Sequence, residues 1–182
     1  MSLRLSGGRK LQSPPGDKAR PTASRVRLAV MNMLATELPQ ASWLDLCCGS
    51  GVMGCEALQR GAAQVVAVEQ DRAISQVARS NLQLVASGLA SAPAVEVIHQ
   101  EALRWLNSAT VHPFDLIYAD PPYAAGLYGP LLQAIRERGW LQPQGQALLE
   151  YATKNPPELP AGWVLNKQKS YGTSSVLLVS QA

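Results

Sequence analysis

From residue 43 to residue 150, short apolar runs alternate with stretches of helical period. This alternation restricts the fold more than any other feature. Residues 43–48, 64–69, 95–98, 114–119 and 146–150 read as strands. Helical stretches lie between them. One runs from the Gly49-Ser50-Gly51 break to about residue 60. The next places Ile74, Val77, Ala78, Leu82 and Val85 on one stripe, with Asp71 able to cap it. Two more cover 102–107 and 127–138. Strands and helices in alternation imply an α/β fold, a mostly parallel sheet covered on both faces. Residues 163–169 and 174–179, around Tyr171-Gly172, read as a closing hairpin. The expectation is therefore a seven-stranded mixed sheet with an antiparallel C-terminal edge hairpin.

Upstream of the first strand, Pro21 disfavours helix for Arg20, and Thr22 or Ser24 is placed to cap a helix. Val26, Ala29, Val30, Met33, Leu34 and Leu38 follow at helical spacing. Residues 5–23 are rich in Gly, Pro, Ser and Lys and read as an extended arm or small hairpin. The expected division is a basic arm over 1–22 and a single domain over 23–182.

Charge is uneven. Residues 1–27 carry seven basic side chains against one acid, Asp17, while the remainder is mildly acidic. A basic arm on an acidic body suits a polyanionic partner, although a solvated leader would look the same. The 182 residues, 47% apolar and 16% charged, suffice for one soluble domain with a sizeable core. No apolar run reaches membrane-spanning length, and the polar, basic N-terminus is unlike a signal peptide. Cys47, Cys48 and Cys55 form no C-x-x-C pair, and His99 and His112 do not complete a zinc site. Reduced thiols, a cytoplasmic location, and no metal or membrane are expected.

The stretch LDLCCGSGVMG, residues 44–54, ends a strand and opens a helix. Gly49, Gly51 and Gly54 fit G-x-G-x-x-G, and Glu69 ends the next strand at the spacing that grips a ribose hydroxyl. Nucleotide binding follows; the nucleotide must still be chosen. A dinucleotide would lay its pyrophosphate over the turn. S-adenosylmethionine would lay its methionine end there, with an ammonium and a sulfonium. Asp45, just before the turn, repels the first and favours the second. Asp45 could also simply accept N–H groups of the glycine loop, and both can hold. After the third strand, Glu101 stands where an adenine edge would be read, or where a helix dipole favours an acid.

The fourth strand ends in Asp120-Pro121-Pro122-Tyr123, on the same sheet edge as the glycine turn and Glu69. The prolines stiffen the backbone and remove two donors. What remains is a set of acceptors and the flat face of Tyr123. Acceptors beside a stacking face suit the exocyclic amine of a base. Asp and Pro also make ordinary turns, so the motif gains weight from its company on the same edge.

Together these residues resemble the class I S-adenosylmethionine-dependent methyltransferases that modify amino groups, with the motif [D/N]-P-P-[Y/F/W]. The chain is most similar to the RsmD family, bacterial 16S ribosomal RNA guanine-N2 methyltransferases. The resemblance runs through Gly7-Gly8-Arg9-Lys10-Leu11, RPTASRVR over 20–27, residues 44–62, VEQD over 68–71, EALRWL over 101–106, DPPY over 120–123 and Tyr171-Gly172. It implies a Rossmann-like fold and methyl transfer to the N2 amine of a guanine in small-subunit RNA. The partner would be 16S rRNA, within a small ribosomal subunit or an assembly intermediate, and the protein would act as a monomer. The donor site would be lined by Asp45, Cys47, Gly49, Ser50, Gly51, Glu69, Gln70, Glu101 and Ala102. Asp120, Pro121 and Tyr123 would hold the guanine. Arg9, Lys10, Arg20, Thr22, Arg25 and Arg27 would meet RNA. The chain departs from the family at Leu28, where an acid is usual, and in its shorter leader. It departs again at Cys47-Cys48 and at Glu101, where Asp or Asn is typical.

Rival readings differ in what they leave unexplained. A DNA adenine-N6 methyltransferase shares DPPY, but this chain has no room for a target-recognition domain. A methylase of protein glutamine amides gives the basic arm no purpose. An NAD-type oxidoreductase accounts for the glycines and Glu69 but not for Asp45 or DPPY. A non-catalytic RNA-binding module needs neither Glu69 nor Asp120.

Overall fold

The computed structural model describes residues 3–16 and 22–182. Its elements run in the expected alternation: α1 (Ser24–Met33), β1 (Ser42–Leu46), α2 (Val52–Gln59), β2 (Gln64–Glu69), α3 (Arg72–Ser87) and β3 (Ala94–His99) come first. Then come α4 (Ala102–Ser108), β4 (Phe114–Ala119), a 3-10 turn (Tyr123–Ala125), α5 (Tyr128–Arg138), β5 (Leu141–Ala152), β6 (Trp163–Tyr171) and β7 (Ser174–Gln181). Among the described residues the strands form one seven-stranded sheet in the order β3-β2-β1-β4-β5-β7-β6. Strands β1 to β5 pair in parallel, and β7 runs antiparallel between β5 and β6. The chain winds outward to β3 on one side of β1 and to β4 on the other. The crevice outside the β1 and β4 carboxyl ends is thus the switch point where open α/β sheets bind ligands.

Each face of the sheet carries its own core. Val26, Val30, Leu34, Leu58, Ala78 and Leu82 bring α1, α2 and α3 onto one face, against Trp43 and Tyr118. Trp105, Leu106, Leu131 and Ile135 bring α4 and α5 onto the other, against Ile117 and Leu149. Burial on both faces is why β1, β2 and β4 read as continuous apolar runs.

Two local readings change. The α1 cap position is Ala23, with no side-chain cap, so neither Thr22 nor Ser24 does that work. Strand β5 begins at Leu141 rather than 146, because a register shift opposite Phe114 and Leu116 lets Pro143 and Gly145 lie within it. A Cβ at Gly145 would stand 2.9 Å from the Asp115 carbonyl oxygen, so the shift needs glycine there. The leader, expected as an extended arm or a small hairpin, is a hairpin turned at Ser6-Gly7, bridged between Arg4 and Lys10, and anchored by the buried Leu5 and Leu11. Burial of each leucine contributes about 1.5–3 kcal/mol.

Candidate active site

The glycine turn is built by backbone demands. Cys47, Gly49 and Gly51 all adopt positive φ, at 59°, 54° and 74°. Gly51 lets α3 approach, since its Cβ would lie 3.2 Å from that of Ala78. Gly54 lets α2 settle on β2, since a Cβ there would meet Val65 at 2.8 Å. Gly49 differs: a Cβ there would meet nothing within 4 Å, so its backbone borders open space that a ligand can approach. Ser50 is buried, and its carbonyl accepts from the Asn81 side chain at 3.0 Å.

Carboxylates from successive strand ends converge on this turn. Asp45 on β1 accepts the Gly54 N–H at 3.2 Å, so it does cap the loop. Burial pushes its pKa up to about 7; the Gly54 hydrogen bond opposes this, and the Glu69 charge adds to it. Glu69, ending β2, accepts from Gly49 N at 3.0 Å and from Asp71 N at 2.9 Å, tying β2 to the turn. Glu101 caps α4 with both oxygens, accepting from Leu103 N at 2.9 Å and Arg104 N at 2.8 Å. Its carboxylate is therefore engaged along the helix, with Ala102 buried behind it. Gln70 is exposed, and its carbonyl oxygen lies 3.0 Å from His99 Nε2.

Cys47 registers the field these groups make. Burial pushes its thiol up to about 12, and Glu69, Asp120, Asp45 and Glu101 all push the same way. Four acids around one half-buried thiol mark a site that favours cations and rejects pyrophosphate. The donor set thus fits S-adenosylmethionine and opposes a dinucleotide.

Asp120 follows β4, with its N–H pointed at the Leu46 carbonyl at 3.4 Å. Pro121 is buried, and the 3-10 turn holds Tyr123 half-buried, its hydroxyl 3.4 Å from Ser174 Oγ on β7. Asp120 also lines a small cavity, about 60 Å³, together with Thr22, Arg25, Glu150 and Ser174.

The basic residues separate. Arg25 reaches the site, donating to the Tyr171 carbonyl at 2.8 Å across the mouth of the β6–β7 hairpin. Thr22 borders the same cavity, and Arg20 lies outside the described residues. Arg27, expected to meet RNA, is turned inward. Its side chain is buried, paired with Glu56 at 3.4 Å, and it donates to the Thr22 and Arg4 carbonyls at 2.7 and 2.6 Å. Arg9 is exposed but donates to the Leu84 carbonyl, roughly 20 Å along α3 from the capping Asp71. Lys10 is exposed on the same hairpin. Sequence reasoning missed Glu150, although an acid ending the apolar run 147–150 repeats the pattern of Asp120 ending β4.

The comparisons with known proteins agree with this geometry. Residues 5–180 match the family model described as Conserved hypothetical protein 95. The chain is 35% identical over 166 residues to ribosomal RNA small subunit methyltransferase D of Escherichia coli, covering 91% of this chain and 81% of that one. The chain belongs to this family. It is also 33% identical over 172 residues to the methyltransferase D of Haemophilus influenzae, covering 94% of this chain and 88% of the relative. The solved structure of yhhF from Escherichia coli superposes with a TM-score of 0.84 at 33% identity, covering 100% of this chain and 98% of that one. The chain is thus an rRNA methyltransferase of the RsmD family, with the Rossmann-like fold of class I enzymes.

Proposed function

We propose that this protein methylates the exocyclic N2 of one guanine in 16S ribosomal RNA, using S-adenosylmethionine. It works as a monomer on the small subunit or its assembly intermediates, in the cytoplasm. The convergence of Asp45, Glu69, Glu101 and Asp120 on one sheet edge carries this reading, in a chain of this family. Among the described residues no helix is long and apolar enough to cross a membrane.

The donor supplies a methyl group on a sulfonium and leaves as S-adenosylhomocysteine. Asp45 and the open backbone at Gly49 favour its cationic methionine end, and Glu69 its ribose. The Asp120 carboxylate and the Pro121 carbonyl region accept the N–H groups of the guanine amine. Held this way, the nitrogen lone pair is drawn out of conjugation and aimed at the methyl. The N–C bond forms as the C–S bond breaks, and the amine then sheds one proton, with Asp120 the nearest base. Tyr123 stacks the extruded base, worth about 1–3 kcal/mol. Arg25 and Thr22 close the entrance, while Arg9 and Lys10 add salt-dependent phosphate contacts away from the chemistry.

Asp45 makes donor binding pH-dependent. Its carboxyl is raised from 3.8 to about 7 in the unliganded fold. A raised carboxyl contributes stability below pH 3.8 that is lost as pH rises through about 7. The ionised form is the one that attracts the ammonium. Donor affinity should therefore rise from about pH 6 to about pH 8 and then level off. Calorimetric titration across that range should give this curve for the wild type and a flatter, weaker one for Asp45→Asn. An equal slope in both would sever affinity from Asp45.

The function itself is tested with labelled S-adenosylmethionine and three acceptors: unmethylated small subunits, naked ribosomal RNA and adenine-rich DNA. Label should enter the ribosomal samples. Label in DNA adenine would keep the donor site and overturn the substrate.

A further inference from the structure

Asp120 has a neighbour of its own kind. Ala119 on β4 is in register with Leu149 on β5, so Asp120 and Glu150 form the next pair along. Paired positions on adjacent strands lie about 4.8 Å apart. The Tyr118 hydroxyl donates to Glu150 Oε2, and the Tyr128 hydroxyl donates to the Glu150 carbonyl at 2.7 Å. Burial pushes the Tyr118 phenol well up, so it remains a donor at any working pH. Glu150 is only 3% exposed, yet it lines the same small cavity as Asp120 and Arg25. A carboxylate has about four acceptor sites, and the Tyr118 phenol is one of the donors that reach this one. The Arg25 guanidinium carries five N–H donors, of which one is spent on the Tyr171 carbonyl.

The cavity therefore presents two adjacent acceptors and then a cationic donor. Only one of the four common bases carries the complement on its Watson–Crick edge. Guanine has two neighbouring donors, the N2 amine and N1–H, followed by the O6 acceptor. Adenine and cytosine each place a ring-nitrogen lone pair beside their amine, which would face a carboxylate. Uracil has a single N–H between two carbonyls.

We propose that Glu150 determines base specificity by accepting the guanine N1–H while Asp120 holds the N2 amine, with Arg25 facing O6. This rests on the guanine-N2 reading above and adds to it the group that tells guanine from other amine-bearing bases. The chemistry of transfer stays with Asp120; Glu150 selects the base that is presented. A buried acid kept only for structure would support folding and have no influence on which base is methylated.

The test uses reconstituted small subunits whose RNA carries either guanine or 2-aminopurine at the methylated position. 2-Aminopurine keeps the C2 amine but offers a lone pair at N1. The wild type should prefer guanine by on the order of 100-fold in kcat/KM. Glu150→Gln supplies an amide N–H that can donate to that lone pair, so the preference should collapse or reverse, with 2-aminopurine methylated faster than by the wild type. An unchanged preference in Glu150→Gln, or an equal loss on both bases, would overturn the proposal. Should the variant not fold, the wild type decides: equal rates on both bases would also overturn it. A wild type that forms no N2-methylguanosine on the guanine-bearing subunits would instead sink the guanine reading itself, before any variant is compared.

Discussion

Asp120→Ala should lower the rate of methyl transfer by roughly 100- to 10,000-fold while leaving donor binding nearly unchanged. The reason is geometric. Asp120 follows a strand buried on both faces, and the next residue, Pro121, is itself buried. The carboxylate is thus presented from a stiff support, and in the function proposed above it orients an amine and does not bind the donor. Asp120→Asn keeps one acceptor oxygen and should retain more activity than the alanine variant. Single-turnover rates with saturating donor, set beside calorimetric donor affinity, separate the two effects. Full activity in Asp120→Ala would remove DPPY from the chemistry. A loss of donor binding equal to the loss of rate would move Asp120 into the donor site.

Glu56→Ala should destabilise the fold by about 3–5 kcal/mol, because it strands the buried Arg27 charge. For a domain of this size that lowers Tm by roughly 10 °C. Glu56 Oε1 also accepts from Ser6 N at 2.8 Å and Ser6 Oγ at 3.0 Å, so the same change releases the leader hairpin from α2. Arg27 in turn holds the Thr22 carbonyl at 2.7 Å beside the cavity that Asp120 lines. The combined variant Glu56→Leu with Arg27→Met removes both charges together and should recover much of the loss. Thermal unfolding of the three proteins is the check. A Tm for Glu56→Ala within about 2 °C of wild type would show the pair to be dispensable.

The parts readable from sequence were those set by local pattern. Apolar runs on strands buried from both sides announce β1, β2 and β4, and the strand-glycine-helix order places Asp45, Glu69 and Asp120 on one edge. The parts that escaped depend on partners distant in sequence. Arg27 looked like an RNA contact because its charge sits in a basic run; its burial follows from Glu56, 29 residues away. Glu150 looked like the end of an apolar strand; its place beside Asp120 follows from the β4–β5 register. Asn81 lay unremarked in an amphipathic helix. It is fully buried, exchanges hydrogen bonds with the Gln12 backbone on the leader and donates to the Ser50 carbonyl in the glycine turn. Glu101 was open between two roles, and the structure shows its carboxylate capping α4. The start of β5 was hidden because proline and glycine usually end strands, whereas here they occupy a bulge.

In the function proposed above, the amine gripped by Asp120 is N2 of guanine. The most direct measurement is to methylate unmodified small subunits with the wild-type protein, digest the RNA to nucleosides and identify the labelled product by mass and retention. N2-methylguanosine at one position is the predicted result. N6-methyladenosine, or methyl on a ring nitrogen of guanine, would contradict it.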